Sequence, residues 1–203
     1  MIAIIDYKAG NLTSVKLAFD ALNVSTEITS KPEEILSAER VVFPGVGAAG
    51  SAMNTLQQLQ LVDVIQEVAG RGTPFLGICL GMQIILEQSE EDNGVICLGL
   101  IPGTTKLFEP LNKADKVPQM GWNSVEIQDN HPVFENIENN SEFYFVHSYY
   151  PAPQEDGCVL GRTDYAGVKF ASVIGKDNIL ATQFHPEKSG KVGLKLLENF
   201  CNW

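Results

Sequence analysis

The stretch Thr73-Pro-Phe-Leu-Gly-Ile-Cys-Leu-Gly-Met-Gln-Ile-Ile-Leu86 constrains the fold more than any other part of this chain. Phe75 to Ile78 is a short apolar run of strand length, and Met82 to Leu86 has the character of a helix start. Between them, Gly77 and Gly81 stand two places either side of Cys79. That spacing predicts a nucleophile elbow, a strand-to-helix turn too tight for side chains at the flanking positions. Such a turn lifts Cys79 out of a sheet and sets it at a helix N-terminus, where the helix dipole favours thiolate over thiol. A buried structural cysteine in a glycine-containing loop is the alternative at this point.

An elbow needs a sheet to stand on, and the residues before it supply one. Met1 to Ile5, Ser25 to Ile28 and Arg40 to Phe43 read as strands. The positions Leu12, Val15, Ala18, Phe19 and Leu22 follow helical spacing, Ser30-Lys-Pro-Glu33 has a capping-box pattern, and helices are expected over about Ala49–Leu59 and Val62–Ala69. This β-α-β-α-β alternation predicts an α/β protein, a three-layer arrangement of a mixed, largely parallel sheet flanked by helices. Ligands of such sheets bind beyond the carboxyl ends of the strands. The Asn11 loop, Pro44-Gly-Val-Gly47 and Cys79 all lie at such ends, so they can converge. After the polar run Ser89–Gly94 the pattern changes to strands near 104–108, 121–127, 142–149, 159–163, 169–174 and 179–184, then a closing helix with Val192, Leu196, Leu197 and Phe200 as its apolar stripe. These strands are expected to extend the same sheet antiparallel, and 203 residues without a linker suit one domain spanning 1–203.

The formal charge of −11 argues against a nucleic-acid partner and is compatible with docking on a basic protein surface. No apolar run reaches the ~20 residues of a membrane span, and Met1-Ile-Ala-Ile-Ile-Asp6 reads as a strand rather than a signal peptide. Cys79, Cys97, Cys158 and Cys201 lie far apart, which fits neither a zinc site nor a disulfide framework and suggests reduced thiols in the cytoplasm.

A nucleophilic cysteine needs a base, and the chain has three histidines. His131 sits in the polar turn Asp129-Asn-His-Pro132 and is expected to face solvent; His147 shares a face with Phe143, Phe145 and Tyr149 and reads as a packed histidine. His185 ends a strand in Thr182-Gln-Phe-His-Pro-Glu-Lys188. Two places on, Glu187 can reach the imidazole on the same side of extended chain and fix its tautomer. Cys79, His185 and Glu187 then form nucleophile, base and orienting carboxylate. The N–H of Leu80 is one oxyanion donor by the logic of the elbow, and Gly45-Val46-Gly47 can provide another because glycine lets the backbone approach a ligand.

Gly77-Ile-Cys-Leu-Gly-Met-Gln83 with Phe184-His-Pro-Glu187 resembles the triad (class I) glutamine amidotransferases. Asp6-Tyr-x-x-Gly-Asn11, Pro44–Gly47, Met120-Gly-Trp-Asn123, Tyr144–Tyr149 and Gln183–Ser189 narrow the likeness to the glutaminase subunits of imidazole glycerol phosphate synthase, end to end. The resemblance implies a flavodoxin-like amidotransferase fold, no cofactor and no metal. It implies hydrolysis of glutamine to glutamate and ammonia through a Cys79 thioester, the ammonia passing to a separate cyclase subunit that makes imidazole glycerol phosphate and AICAR in histidine biosynthesis. Substrate contacts are implied for Gly47, Gln83, Glu91, Ser148 and Tyr149, and oxyanion donation for Val46, Gly47 and Leu80. Asn11, Trp122 and Lys188 fall where the family meets its partner, a (β/α)8 barrel, and gates ammonia; buried core is the alternative for Trp122. A different glutaminase, a stand-alone thiol hydrolase and a catalytically silent binding module are the competing readings.

Overall fold

The computed structural model describes residues 1–8, 10–110 and 115–203, so Ala9 of the Tyr7–Asn11 loop lies outside it. The parallel half is built from β1 (Ile2–Ile5), α1 (Leu12–Ala21), β2 (Thr26–Thr29), α2 (Pro32–Ser37), β3 (Arg40–Gly45), α3 (Ala49–Gln58), α4 (Val62–Gly70), β4 (Phe75–Cys79) and α5 (Leu80–Ile84). The later half comprises β5 (Gln88–Ser89), β6 (Val95–Ile96), β7 (Gly103–Leu107), β8 (Gln119–Ile127), β9 (Ser141–His147), β10 (Tyr149–Pro153), β11 (Val159–Tyr165), β12 (Val168–Lys176), β13 (Ile179–Thr182) and α6 (Gly190–Asn202).

A nine-stranded sheet runs β2-β1-β3-β4-β13-β12-β11-β8-β9. Pairings from β2 to β13 are parallel and those from β13 to β9 antiparallel. Strand β1 shows why this sheet is sandwiched. Ala3 and Ile5 join Val41, Phe43, Phe75 and Ala181 in one core with α2, α3 and α4, while Ile2 and Ile4 join Val42, Leu76 and Leu180 in a second core with α1 and α6. Apolar residues at successive positions thus bury both faces, as buried parallel strands require. Among the described residues no helix is long and apolar enough to cross a membrane.

Two expectations need correction. The second half does not all extend one sheet: β10, β7, β5 and β6 form a separate four-stranded sheet. The chain leaves the main sheet at Ser148, whose carbonyl accepts the Phe108 N–H at 3.0 Å, so the apolar run 142–149 is two strands in different sheets. The capping box at Ser30 is not formed either. Lys31 is the N-cap of α2 with Pro32 at its first position, and Thr29 Oγ1 instead accepts the Lys31 N–H and donates to Glu34.

Candidate active site

Cys79 closes β4 directly opposite Gly45 of β3, while Thr182 at the end of β13 pairs with Ile78. Three strands therefore deliver their carboxyl ends to one place. Cys79 has φ 55° and ψ −109°, a strained conformation for a side chain with a Cβ. The flanking glycines are explained by contact. A Cβ at Gly81 would stand 1.9 Å from the Phe43 carbonyl oxygen, and one at Gly77 would crowd Ala181 and the backbone of Gly81 and Met82. Helix α5 starts at Leu80, earlier than the apolar pattern suggested, and is one turn long. With so short a dipole, electrostatic support for a thiolate falls mainly to a neighbouring charge.

That neighbour is His185. Its side chain and that of Glu187 are 1% and 0% exposed, and Nδ1 lies 2.8 Å from Glu187 Oε1. A turn over Pro186–Lys188 curls Glu187 back under the ring, in place of the extended geometry expected from sequence. Nε2 of His185 makes no hydrogen bond among the described residues. Burial lowers the affinity of this ring for a proton, yet Cys79 and Glu187 outweigh it and its pKa is pushed up to about 10. A histidine that keeps its proton beside Cys79 is placed to protonate a leaving group.

The cleft above Cys79 has a volume of about 350 Å3. Val46, Gly47 and Leu80 line it, with Gln83, Glu91, Ser148 and Tyr149. Gly47 adopts φ +97° with nothing within 4 Å of a would-be Cβ, so its demand for glycine is conformational. Glu91 is half-buried: its Oε2 accepts the Ala49 N–H at 2.6 Å, and burial raises its pKa. Gln83 donates to the Tyr149 carbonyl at 2.9 Å and to Gln183 Oε1 at 3.0 Å.

Asn11 and Lys188 are not cleft-lining residues. The Asn11 amide donates to Glu187 Oε1, and Lys188 is exposed on the turn beside it. Trp122 is 55% exposed, which removes the buried-core alternative; it packs edge-on against Tyr144, its partner across β8 and β9. The Tyr144 carbonyl in turn accepts the His185 N–H at 2.9 Å, so this outer face abuts the back of His185.

Sequence reasoning passed over Gln183, Tyr7 and the position of His147. Gln183 Nε2 lies 3.8 Å from Cys79 Sγ; its even spacing from His185 was the available signal. Tyr7 reaches Gly45, where a Cβ would meet its hydroxyl at 2.1 Å, and burial followed by the Cys79 charge raises its pKa. His147 is a packed histidine as expected, but its ring neighbours are Phe108, Phe145 and Phe170 rather than Phe143, Phe145 and Tyr149, because Tyr149 belongs to β10 of the other sheet, and it also lines the cleft. His131 does not simply face solvent. Its Nδ1 accepts the Val133 N–H at 3.2 Å, and its ring packs on Trp203.

Comparison with known proteins identifies the family of this chain. The model of the class-I glutamine amidotransferase family matches residues 3–202. The imidazole glycerol phosphate synthase subunit HisH of Methanocaldococcus jannaschii is 52% identical over 200 residues, covering 98% of each chain. The subunit of the same name from Nitrosococcus oceani is 48% identical over 204 residues, covering 100% of this chain and 97% of its own. A chain of the PurLQS structure from Thermotoga maritima superposes with a TM-score of 0.73 at 17% identity, covering 99% of this chain and 97% of that one, a likeness of fold alone. The chain belongs to the class-I glutamine amidotransferases and, within them, to the HisH family of imidazole glycerol phosphate synthase subunits.

Proposed function

We propose that residues 1–203 act as one glutaminase domain in which Cys79, His185 and Glu187 hydrolyse glutamine for an imidazole glycerol phosphate synthase. The observation that carries this reading is a cysteine held at an elbow beside a buried, proton-retaining histidine whose far nitrogen is bonded to a buried carboxylate. Cys79 Sγ attacks the side-chain amide carbon of glutamine. His185 gives its proton to the departing nitrogen, ammonia leaves, and a thioester remains. His185 then takes a proton from water, hydroxide adds to the thioester, and collapse returns the thiolate and glutamate.

The negative oxygen formed in both additions meets the Leu80 N–H and a donor from Val46–Gly47. Glu91, fixed at the start of α3 by the Ala49 N–H, supplies a carboxylate for the substrate ammonium, while Gln83, Ser148 and Tyr149 shape the rest of the cleft. Ammonia at neutral pH is mostly protonated and then a poor nucleophile, so it needs a sheltered path to its acceptor. We take the recipient to be a barrel-fold cyclase subunit docked on the face bearing Trp122 and Lys188, and the site of action to be the cytoplasm. On this reading activity is weak in the isolated chain and strong in the complex.

The test is glutamate release by wild type and Cys79→Ala, alone and with the cyclase subunit and its ribonucleotide ligand. Loss of release with fold and complex intact is the expected result. Full activity in Cys79→Ala would show the nucleophile to be wrongly assigned.

A further inference from the structure

We propose that Asn11 is a positioning residue of the triad: its side-chain amide holds Glu187 so that the carboxylate keeps its grip on His185. The proposal rests on the glutaminase reading above and adds a role distinct from contact with a partner. Asn11 is the N-cap of α1, a place where asparagine ordinarily accepts an N–H of the first helical turn. Here it makes no such bond. Its Nδ2 instead donates to Glu187 Oε1, 176 residues away in the chain. The same oxygen accepts His185 Nδ1, and Glu187 Oε2 has no partner among the described residues.

A carboxylate can only accept, so the group facing it must donate. The Glu187 side chain is fully shielded from solvent, and a buried charge with few donors is costly to hold. Among the described residues its oxygens receive two side-chain donors, and Asn11 is one of them. With Asn11 removed, only the catalytic ring remains, among the described residues, to orient the carboxylate meant to orient that ring. The backbone of Asn11, at φ 75° and ψ 5°, lies in the left-handed region, which asparagine tolerates.

The left-handed conformation also yields a clean pair of variants. Asn11→Gly removes the amide without backbone strain. Asn11→Asp keeps the size but faces Glu187 with a second carboxyl group, which can donate only while the pair shares a proton. Because Asn11 does not line the cleft, substrate binding should not change. In the complex with its synthase subunit, Asn11→Gly should lower kcat about tenfold, the scale of one charge-assisted hydrogen bond, with KM within about twofold. The ratio of Asn11→Asp to wild-type kcat should fall as pH rises from about 5.5 to 9, while the Asn11→Gly ratio stays flat.

In the isolated chain, the deciding probe is alkylation of Cys79 by a chloroketone analogue of glutamine, in which sulfur displaces chloride. Slower alkylation in Asn11→Gly without the partner supports a triad role. Alkylation at the wild-type rate, a raised KM with unchanged kcat, or a lowered melting temperature with unchanged kcat would each overturn it; the first would confine Asn11 to the subunit interface. If the wild-type complex released no glutamate and Cys79 resisted the reagent, the glutaminase reading itself would fall instead.

Discussion

Burial works against a proton on His147. It is 5% exposed, its Nδ1 lies 2.7 Å from the Tyr149 carbonyl and its Nε2 3.1 Å from Gln119 Oε1. Burial, reinforced by the charge on His185 and partly offset by the Tyr149 bond, lowers its pKa from 6.5 to about 4. Between those values the unfolded chain binds a proton that the folded chain refuses, so stability rises with pH across the window and is lost on acidification. At pH 5 the contribution is about 2 kcal/mol. Denaturant unfolding of wild type and His147→Gln at pH 7 and pH 5 checks this: the wild type should lose about 2 kcal/mol more than the variant between the two, and parallel losses would refute it. At Gly81 the constraint is steric. A methyl group 1.9 Å from the Phe43 carbonyl oxygen must push β3 or α5 aside, so Gly81→Ala should cost about 2–4 kcal/mol in unfolding experiments and misplace Cys79.

At the scale of elements, α6 presses on the turn that carries Glu187. A Cβ at Gly193 would stand 2.0 Å from the Pro186 carbonyl oxygen, and Ser189 Oγ ties this turn to strand β9 by accepting the Tyr144 N–H at 2.9 Å. Gly193→Ala should therefore lower kcat and melting temperature together, through displacement of Pro186–Lys188; a stable, fully active variant would show the turn to be set by something other than α6. The parallel half of the fold was legible because its strands are near-continuous apolar runs and its helices have clean stripes, two patterns that local sequence carries. Of the small sheet only β7 was legible, as the strand expected near 104–108. Strands β5 and β6 are two residues each, and β10 contains Pro151 and Pro153, residues that argue against a strand. β10 survives because it sits at the sheet edge, a fact of tertiary placement. The convergence of Cys79, His185 and Glu187 was readable from Gly-x-Cys-x-Gly and His-Pro-Glu. The Asn11–Glu187 bond was not, since nothing local joins residues 176 apart.

For the whole molecule, charge and exposed apolar surface point to the same event. The chain carries a formal −11, yet Met120 at 67% and Trp122 at 55% exposure stand on β8 next to the strand that backs His185. Exposed large apolar side chains framed by polar surface mark places where another protein binds, and tryptophan is a frequent anchor. If the cyclase subunit docks here, Trp122→Ala should weaken the complex by about tenfold or more, chiefly through faster dissociation, and leave unfolding of the isolated chain within about 0.5 kcal/mol because little packing is lost. Lys188→Ala, an exposed cation on the triad turn, should change the stimulation of glutamate release by the cyclase ligand more than it changes binding. Added salt should slow association with a basic partner face while affecting dissociation less. Surface-immobilised cyclase subunit with wild type, Trp122→Ala and Lys188→Ala, at low and high salt, separates these effects. Unchanged dissociation in Trp122→Ala would move the docking face elsewhere and would leave the proximity of Trp122 to the triad without consequence for coupling.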